Sequence, residues 1–331
     1  MFRRGPQPAD VTPGVSIVVP VYNAERTLDA LVERIDRTLS VRGASFEILL
    51  VNDGSRDGSW EIIRRLAAQH AAVRGIDLMR NYGQHNALLA GLRAARHDVV
   101  VTMDDDLQNP PEEVPKLLDR LAEGYDVVYG TPPVRRHGFW RNLASAILRL
   151  CLQTVTAPEV AKIVTGFRAF RTELRRAFDG YESAFIFLDA LLPWATSRFA
   201  SVEVRHDARA VGTSNYGFPK LLGLGIDMLT SFSTLPLRFA SFVGFAFTAF
   251  GGLVLVVTVI RYFLFGYALP GFAFLGSSIA LFAGAQLFAL GIMGEYLARV
   301  HFRSMGRPSS VVRQSIGAEP TPPMRSPEGS S

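Results

Sequence analysis

Apolar and polar positions along the first third of the chain alternate between two periods. Short apolar runs stand at Ser16–Pro20, Glu47–Val51, Ile76–Met79, Val99–Met103 and Asp126–Tyr129, each of strand length. Between them, apolar residues recur at helical spacing: Leu28, Leu31, Val32, Ile35 and Leu39 mark one helix. A second begins near Ser59, read as its cap, ahead of Trp60, Ile63 and Leu66; Gly83–Ala95 and Val114–Ala122 mark two more. Strands separated by helices predict a mostly parallel α/β sheet joined by right-handed crossovers.

The pattern changes past about residue 215. Phe239–Ile260 holds 22 residues without a charged side chain, about 33 Å as a helix, which is enough for a bilayer core. A second apolar stretch runs from Gly271 to Met293, and Arg261 and Pro270 fall in the connection. Two buried helices of a soluble core are the alternative reading. Trp140–Val155 and Tyr216–Leu235 are amphipathic, suited to a membrane interface or to ordinary core packing. The predicted organisation is a flexible start (1–14), a catalytic α/β domain (15–215), an interfacial region (216–238), two spans (239–298) and a basic, then disordered tail (299–331). Glu295 is set either to snorkel or to pair with Arg299. Gly251, Gly252 and Gly284 offer positions for pairing spans in a homo-oligomer.

Charge then gives an orientation. Lys220 and Arg238 precede the first span, Arg299, Arg303, Arg307 and Arg313 follow the second, and the connection holds only Arg261. The excess predicts both flanks in the cytoplasm of a cell whose inner membrane carries the spans. The polar, Pro-rich start predicts no cleavable signal peptide. A single cysteine, Cys151, excludes an internal disulfide. The net charge of +5 reads as attraction to anionic lipid and phosphate, with no nucleic-acid motif beside it. No Walker or dinucleotide-type glycine loop occurs.

Polar groups gather at the carboxyl ends of the predicted strands, where open α/β sheets bind ligands. The first end offers Pro20-Val21-Tyr22-Asn23, with Glu25 nearby; the second offers Asn52-Asp53-Gly54-Ser55. The third offers Arg80-Asn81-Tyr82-Gly83-Gln84, and the fourth Asp104-Asp105-Asp106 followed by Gln108. Three adjacent carboxylates repel one another unless a cation shares the site. Their hard oxygens, with the Gln108 amide, suit Mg²⁺ or Mn²⁺ that also holds a phosphate. A solvated acidic turn ahead of a helix is the plainer alternative. Asp53 has two readings as well: acceptor for a base or ribose donor, or closure of an Asx turn with Gly54.

The segments VPVYN, VNDGSRDGS, RNYGQHNALLAG and DDDLQNPPEEVP resemble family 2 glycosyltransferases of the GT-A fold. More narrowly, they are similar to the dolichol-phosphate mannosyltransferase-like enzymes that load a sugar onto polyprenyl phosphate. The likeness extends over about Ser16–Val312. TLPLRF and GAQLFALGIMGEYLARV resemble the two-span bacterial branch that includes undecaprenyl-phosphate aminoarabinose and glucose transferases. The resemblance implies a nucleotide-diphosphate sugar donor, UDP ahead of GDP, and a polyprenyl phosphate acceptor at the bilayer. It implies that Asp104, Asp106 and Gln108 hold the metal and the diphosphate. Pro20, Tyr22, Asn23, Glu25, Asp53, Asn81 and Gly83 would line the donor site. Arg209 and Ser214 fall where the family binds the acceptor phosphate, and Arg135, Arg136 and Arg168 are further candidates. The chain departs from the family at Ala24, at Asn215 and at Gly166, where relatives carry Glu, Lys and, near the last, Asp.

The acceptor phosphate is ionised at neutral pH, so direct displacement with inversion needs positioning and charge neutralisation more than a base. Asp105 is a spare base in that scheme. Two other readings stay open on sequence: transfer to a different membrane lipid, with Asp105 essential, or a silent scaffold of the same fold.

Overall fold

The computed structural model describes residues 13–133, 160–181, 186–207, 235–265, 271–306 and 308–317. The amphipathic stretch Trp140–Val155 and residues 216–234 lie outside them.

An eight-stranded sheet organises the soluble part, in the order β7-β5-β6-β4-β1-β2-β3-β8. Its strands are Val15–Val21 (β1), Phe46–Asn52 (β2), Val73–Leu78 (β3), Val99–Thr102 (β4), Val127–Thr131 (β5), Arg168–Arg171 (β6), Phe199–Glu203 (β7) and Val312–Ile316 (β8). Parallel pairing joins β3, β2, β1 and β4, as the alternation predicts, and also β5 with β7. Strand β6 runs antiparallel between β4 and β5, and β8 antiparallel along β3, so the sheet is mixed at both flanks.

Helices cover both faces because the central strands are apolar on both. Leu28–Arg42 (α1), Ser59–Gln69 (α2) and Val114–Ala122 (α4) pack with Ile17, Val19, Ile48 and Leu50. Gln84–Ala94 (α3) and Leu188–Ala195 (α5) pack with Val18, Leu49, Val51 and Val100 on the other face. Successive residues of β1 and β2 thus feed opposite cores, the period-2 rule of a strand buried on both sides. The chain proceeds from β1 outward to β3, then returns to place β4 on the other side of β1. That reversal is the topological switch point at which such sheets form a ligand crevice.

Two long helices follow, Leu235–Phe265 (α6) and Gly271–Ser304 (α7). Pro236–Leu264 and Leu281–His301 are long and apolar enough to cross a membrane, and neither window is buried within the protein. Burial therefore argues against the soluble-core alternative. Gly251 faces Phe282 so closely that a Cβ there would lie 2.9 Å from its ring, and Phe247 meets the same ring edge-on. Gly251 thus serves the hairpin within one chain; Gly252 and Gly284 have open space. Glu295 pairs with Arg299 at 3.0 Å.

The expected disorder of the tail is corrected at Val312–Ile316. Gly75, Ile76, Asp77 and Leu78 of β3 pair with Ile316, Ser315, Gln314 and Val312. The segment is short and polar, so its own pattern does not announce a strand. It forms because β3 would otherwise leave a row of unpaired N–H and C=O groups on the sheet edge.

Candidate active site

The β1 and β2 ends are laced together by their turns. Asn23, in the left-handed region at φ 55°, donates its N–H to Ser55 Oγ at 3.0 Å and accepts from Arg56 N at 2.8 Å. Ala24 N donates to Ser59 Oγ, and Glu25 N to Asp57 Oδ2. Glu25 Oε2 accepts from Gly58 N at 3.0 Å, so its carboxylate caps the start of α2. Gly58 rather than Ser59 precedes that helix, and the Ser59 hydroxyl donates to Asp57. Pro20 is buried past the last β1 residue paired with β4, where its missing N–H costs that ladder nothing. Tyr22 is exposed beside it.

Asp53 does not close an Asx turn with Gly54, one of its two readings on sequence. Its two oxygens accept from Tyr82 N at 2.7 Å and Gly83 N at 2.9 Å, and the residue is 3% exposed. Asn52 Oδ1 closes the turn instead, onto Ser55 N. Burial pushes the Asp53 carboxyl up, against the pull of those two amides. Gly54 is required between the loops: at φ +65°, a Cβ would lie 2.6 Å from the backbone of Arg80 and Asn81. Asn81 itself is exposed, and Gly83, at φ 94°, leads into α3.

The acidic triplet leaves β4 next to these turns. Tyr22 N donates to Asp105 Oδ2 at 3.1 Å, tying the β1 and β4 ends across the switch point. Asp104 Oδ1 accepts from Gln84 Nε2 at 2.6 Å, a contact the strand-end pattern contained but did not assign a role. Asp106 Oδ1 accepts from Gln108 N at 3.1 Å. That turn drives Leu107 to φ 59°, a conformation costing a β-carbon-bearing residue about 1–2 kcal/mol. Asp207 N, bonded to Gln108 O at 2.9 Å, helps hold it.

Gly166 closes the floor. A Cβ there would stand 3.2 Å from Asp104 Oδ2, so an aspartate at this position would crowd the triplet. Its carbonyl accepts from Thr102 Oγ1 at 2.8 Å. Arg168 is corrected as an acceptor-phosphate candidate. It is 1% exposed, its guanidinium is ion-paired to Asp189, and its Nε donates to Thr102 Oγ1 at 3.1 Å. Tyr129 Oη donates to the same Asp189 oxygen at 2.9 Å. The cluster faces the core, so reaching a lipid-borne phosphate would mean abandoning Asp189. The Arg168 charge does act on its surroundings. Burial, followed by that charge, pushes the neighbouring His85 imidazole down to about 3, so it is neutral. Arg135, Arg136, Arg209 and Ser214 lie outside the described residues.

The donor set fits a shared cation and not a closed metal cage. Among the described residues no three carboxylate, imidazole or thiol side chains converge. Mg²⁺ and Mn²⁺ ordinarily take one or two carboxylates and complete their shell with phosphate and water. Asp104 and Asp106, with Gln108 in the same turn, offer that half-shell.

Asp105 makes the acidity of this edge measurable. Burial, with repulsion from Asp104 and Asp106 added, pushes its carboxyl up to about 7 against the Tyr22 amide. A carboxyl raised in the folded state stabilises the protein below its ordinary pKa, and that contribution is lost as pH rises through 7. Metal-free protein should therefore lose stability between about pH 4 and pH 7 relative to Asp105→Asn. Thermal melts of both proteins across this range, with chelator present, check it; parallel curves would count against the assignment.

A mixed α/β sheet whose strand order reverses at β1, with the acidic turn leaving β4 beside it, is a fold of the GT-A type. The chain belongs to glycosyl transferase family 2, whose family model matches residues 16–182; it is a glycosyltransferase. Among curated relatives, the undecaprenyl-phosphate 4-deoxy-4-formamido-L-arabinose transferase of Pseudomonas paraeruginosa (strain PA7) is 37% identical over 319 residues, 96% of this chain and 93% of that protein. The proteins of the same description from Shewanella sediminis and Aeromonas hydrophila are 38% and 35% identical, each over 93% of this chain and 94% and 95% of their own lengths. Glucosyl-3-phosphoglycerate synthase from Mycobacterium tuberculosis, solved with Mn²⁺, UDP and phosphoglyceric acid, is similar at a TM-score of 0.47 and 22% identity, over 66% of this chain and 76% of that one.

Proposed function

We propose that this glycosyltransferase moves a sugar from a nucleotide diphosphate, UDP before GDP, to polyprenyl phosphate, of the undecaprenyl type, at the cytoplasmic face of an inner membrane. The observation that carries the reading is the Asp104–Asp106 triplet at the switch point, bonded through Asp105 to the β1 end. Two helices of membrane-spanning length supply the reason for a lipid acceptor, since a polyprenyl chain stays in the bilayer. The curated relatives, undecaprenyl-phosphate sugar transferases, support the acceptor.

Tyr22, Asn23 and Asn81 line the donor crevice beside Pro20 and Gly83, while Glu25 and Asp53 hold its turns. Asp104, Asp106 and Gln108 would hold Mg²⁺ or Mn²⁺ against the diphosphate. That cation, when bound, neutralises charge on the departing diphosphate. Arg209, Ser214, Arg135 and Arg136 are assigned to the acceptor phosphate by the sequence pattern, guanidinium groups being suited to two-point phosphate contacts. Displacement by an ionised phosphate inverts the anomeric carbon and needs no general base.

Purified protein with Mn²⁺ or Mg²⁺ is expected to transfer one radiolabelled sugar from a UDP- and GDP-sugar panel to undecaprenyl phosphate. UDP-4-deoxy-4-formamido-L-arabinose stands first on that panel because of the relatives. Nucleotide binding without glycolipid from any donor would sink the acceptor assignment. A second reading, transfer to a lipid hydroxyl, draws on Asp105, whose pKa near 7 suits a general base. In that case Asp105→Asn abolishes transfer and Arg209→Ala spares it; the phosphate acceptor gives the reverse.

A further inference from the structure

We propose that Arg313, on the strand that follows the second apolar helix, is a positioning residue for the donor-side turns. This rests on the reading of the β1–β4 edge as the donor site. Strand β8 is not regularly paired at this point. Asp77 faces Gln314 and Leu78 faces Val312, so Arg313 is the extra residue of a bulge. A bulge re-aims a side chain. Here it turns the guanidinium onto Asp77 Oδ2 at 3.3 Å and Met79 O at 2.8 Å.

Both contacts lead into the site. Asp77 is 2% exposed, and its other oxygen accepts from Asn52 Nδ2 at 2.7 Å. Asn52 Oδ1 closes the turn onto Ser55 N, and the Ser55 hydroxyl accepts from Asn23 N. Met79 N donates to Val311 O at 2.9 Å, and Met79 leads directly into Arg80 and Asn81, the backbone against which Gly54 is wedged. One arginine therefore braces the turns that end β2 and β3. Without it, Asp77 would keep a buried carboxylate oxygen facing an uncompensated edge.

The segment that leads into β8 is itself anchored. Ser309, 3% exposed, accepts from Arg93 Nη1 at 3.1 Å, and Arg93 Nη2 donates to Asp179 O. Seven residues, Met305–Val311, separate the end of α7 from β8, a reach of at most about 25 Å. The chain leaving the apolar hairpin thus returns to the donor turns and completes their support. The strand does more than cover an edge, because its one irregular residue carries the charge that reaches Asp77.

The test compares Arg313→Ala, Arg313→Lys and Gln314→Ala in the full chain. Amide hydrogen exchange is followed in segments 52–57 and 79–84, and steady-state kinetics are run with nucleotide sugar. Arg313→Ala is expected to speed exchange at least about fivefold in both segments while leaving 114–122 unchanged, consistent with couplings of a few-fold and upward. Donor KM rises about five- to tenfold with kcat within twofold; Lys recovers part of both effects, and Gln314→Ala changes neither. Unchanged exchange in Arg313→Ala, or an equal effect from Gln314→Ala, overturns the proposal. If wild-type protein neither transfers sugar nor binds UDP or GDP, the proposed function fails, and the exchange measurement still decides the brace.

Discussion

Asp106→Ala is expected to lower kcat/KM for sugar transfer about a thousandfold, or roughly 4 kcal/mol of barrier. The side chain stands in the β4 turn with Asp104, and in the proposed function the pair would hold a cation against the diphosphate. Asp106 also accepts from Gln108 N and so holds the left-handed Leu107 turn. The two functions separate in a second variant. Asp106→Asn keeps an acceptor for Gln108 N but removes the charge. If cation binding dominates, Asn is nearly as poor as Ala, and both lose Mn²⁺-dependent nucleotide binding. An active Asn variant would instead assign Asp106 to turn geometry alone. Kinetics and nucleotide titration with and without metal make the distinction.

The largest loss of stability is expected from Asp189→Ala, about 3–5 kcal/mol, because it leaves the Arg168 guanidinium buried without its counter-charge. Arg168 and Asp189 have side chains 1% and 5% exposed, so solvent supplies little compensation. Losing Asp189 also strips Tyr129 Oη of its acceptor. For a domain of this size the change corresponds to a melting temperature roughly 10 °C lower, followed by thermal unfolding in detergent. Replacing both partners together, Arg168→Met with Asp189→Leu, should recover most of it, since the cost lies in the unpaired charge. A melting point for Asp189→Ala within about 1 °C of wild type would refute this account. Any loss of transfer in the stable double variant would then report on Asp104, whose field Arg168 shares.

Local pattern was sufficient where local physics decides. The strands ending at Val21, Asn52, Leu78 and Thr102 announced themselves as apolar runs followed by polar turns. Their order placed the acidic triplet on the ligand-binding edge. The two long apolar helices were legible for the same reason, since length and apolarity are properties of a segment.

Positions defined by distant partners were not legible. Arg168 looks like any basic residue near a phosphate site until β6 inserts beside β4 and buries it against Asp189, 21 residues on. Asp53 carries two backbone amides from a turn 29 and 30 residues away. Val312–Ile316 reads as tail, and becomes a strand only because β3, more than 200 residues earlier, offers an unpaired edge. By itself the sequence determined strands β1 to β5, the helices between them, the two long apolar helices, and which edge carries the acidic residues, because periodicity and apolarity of a segment act over a few residues. Strands β6, β7 and β8 and helix α5 were not legible in it. Tertiary structure alone decided which charges are enclosed, which loops a carboxylate holds, and that the chain leaving the hairpin returns to brace the donor turns. Those outcomes depend on which groups meet across the sheet, and a buried charge or an unpaired strand edge takes its partner from wherever the fold brings one.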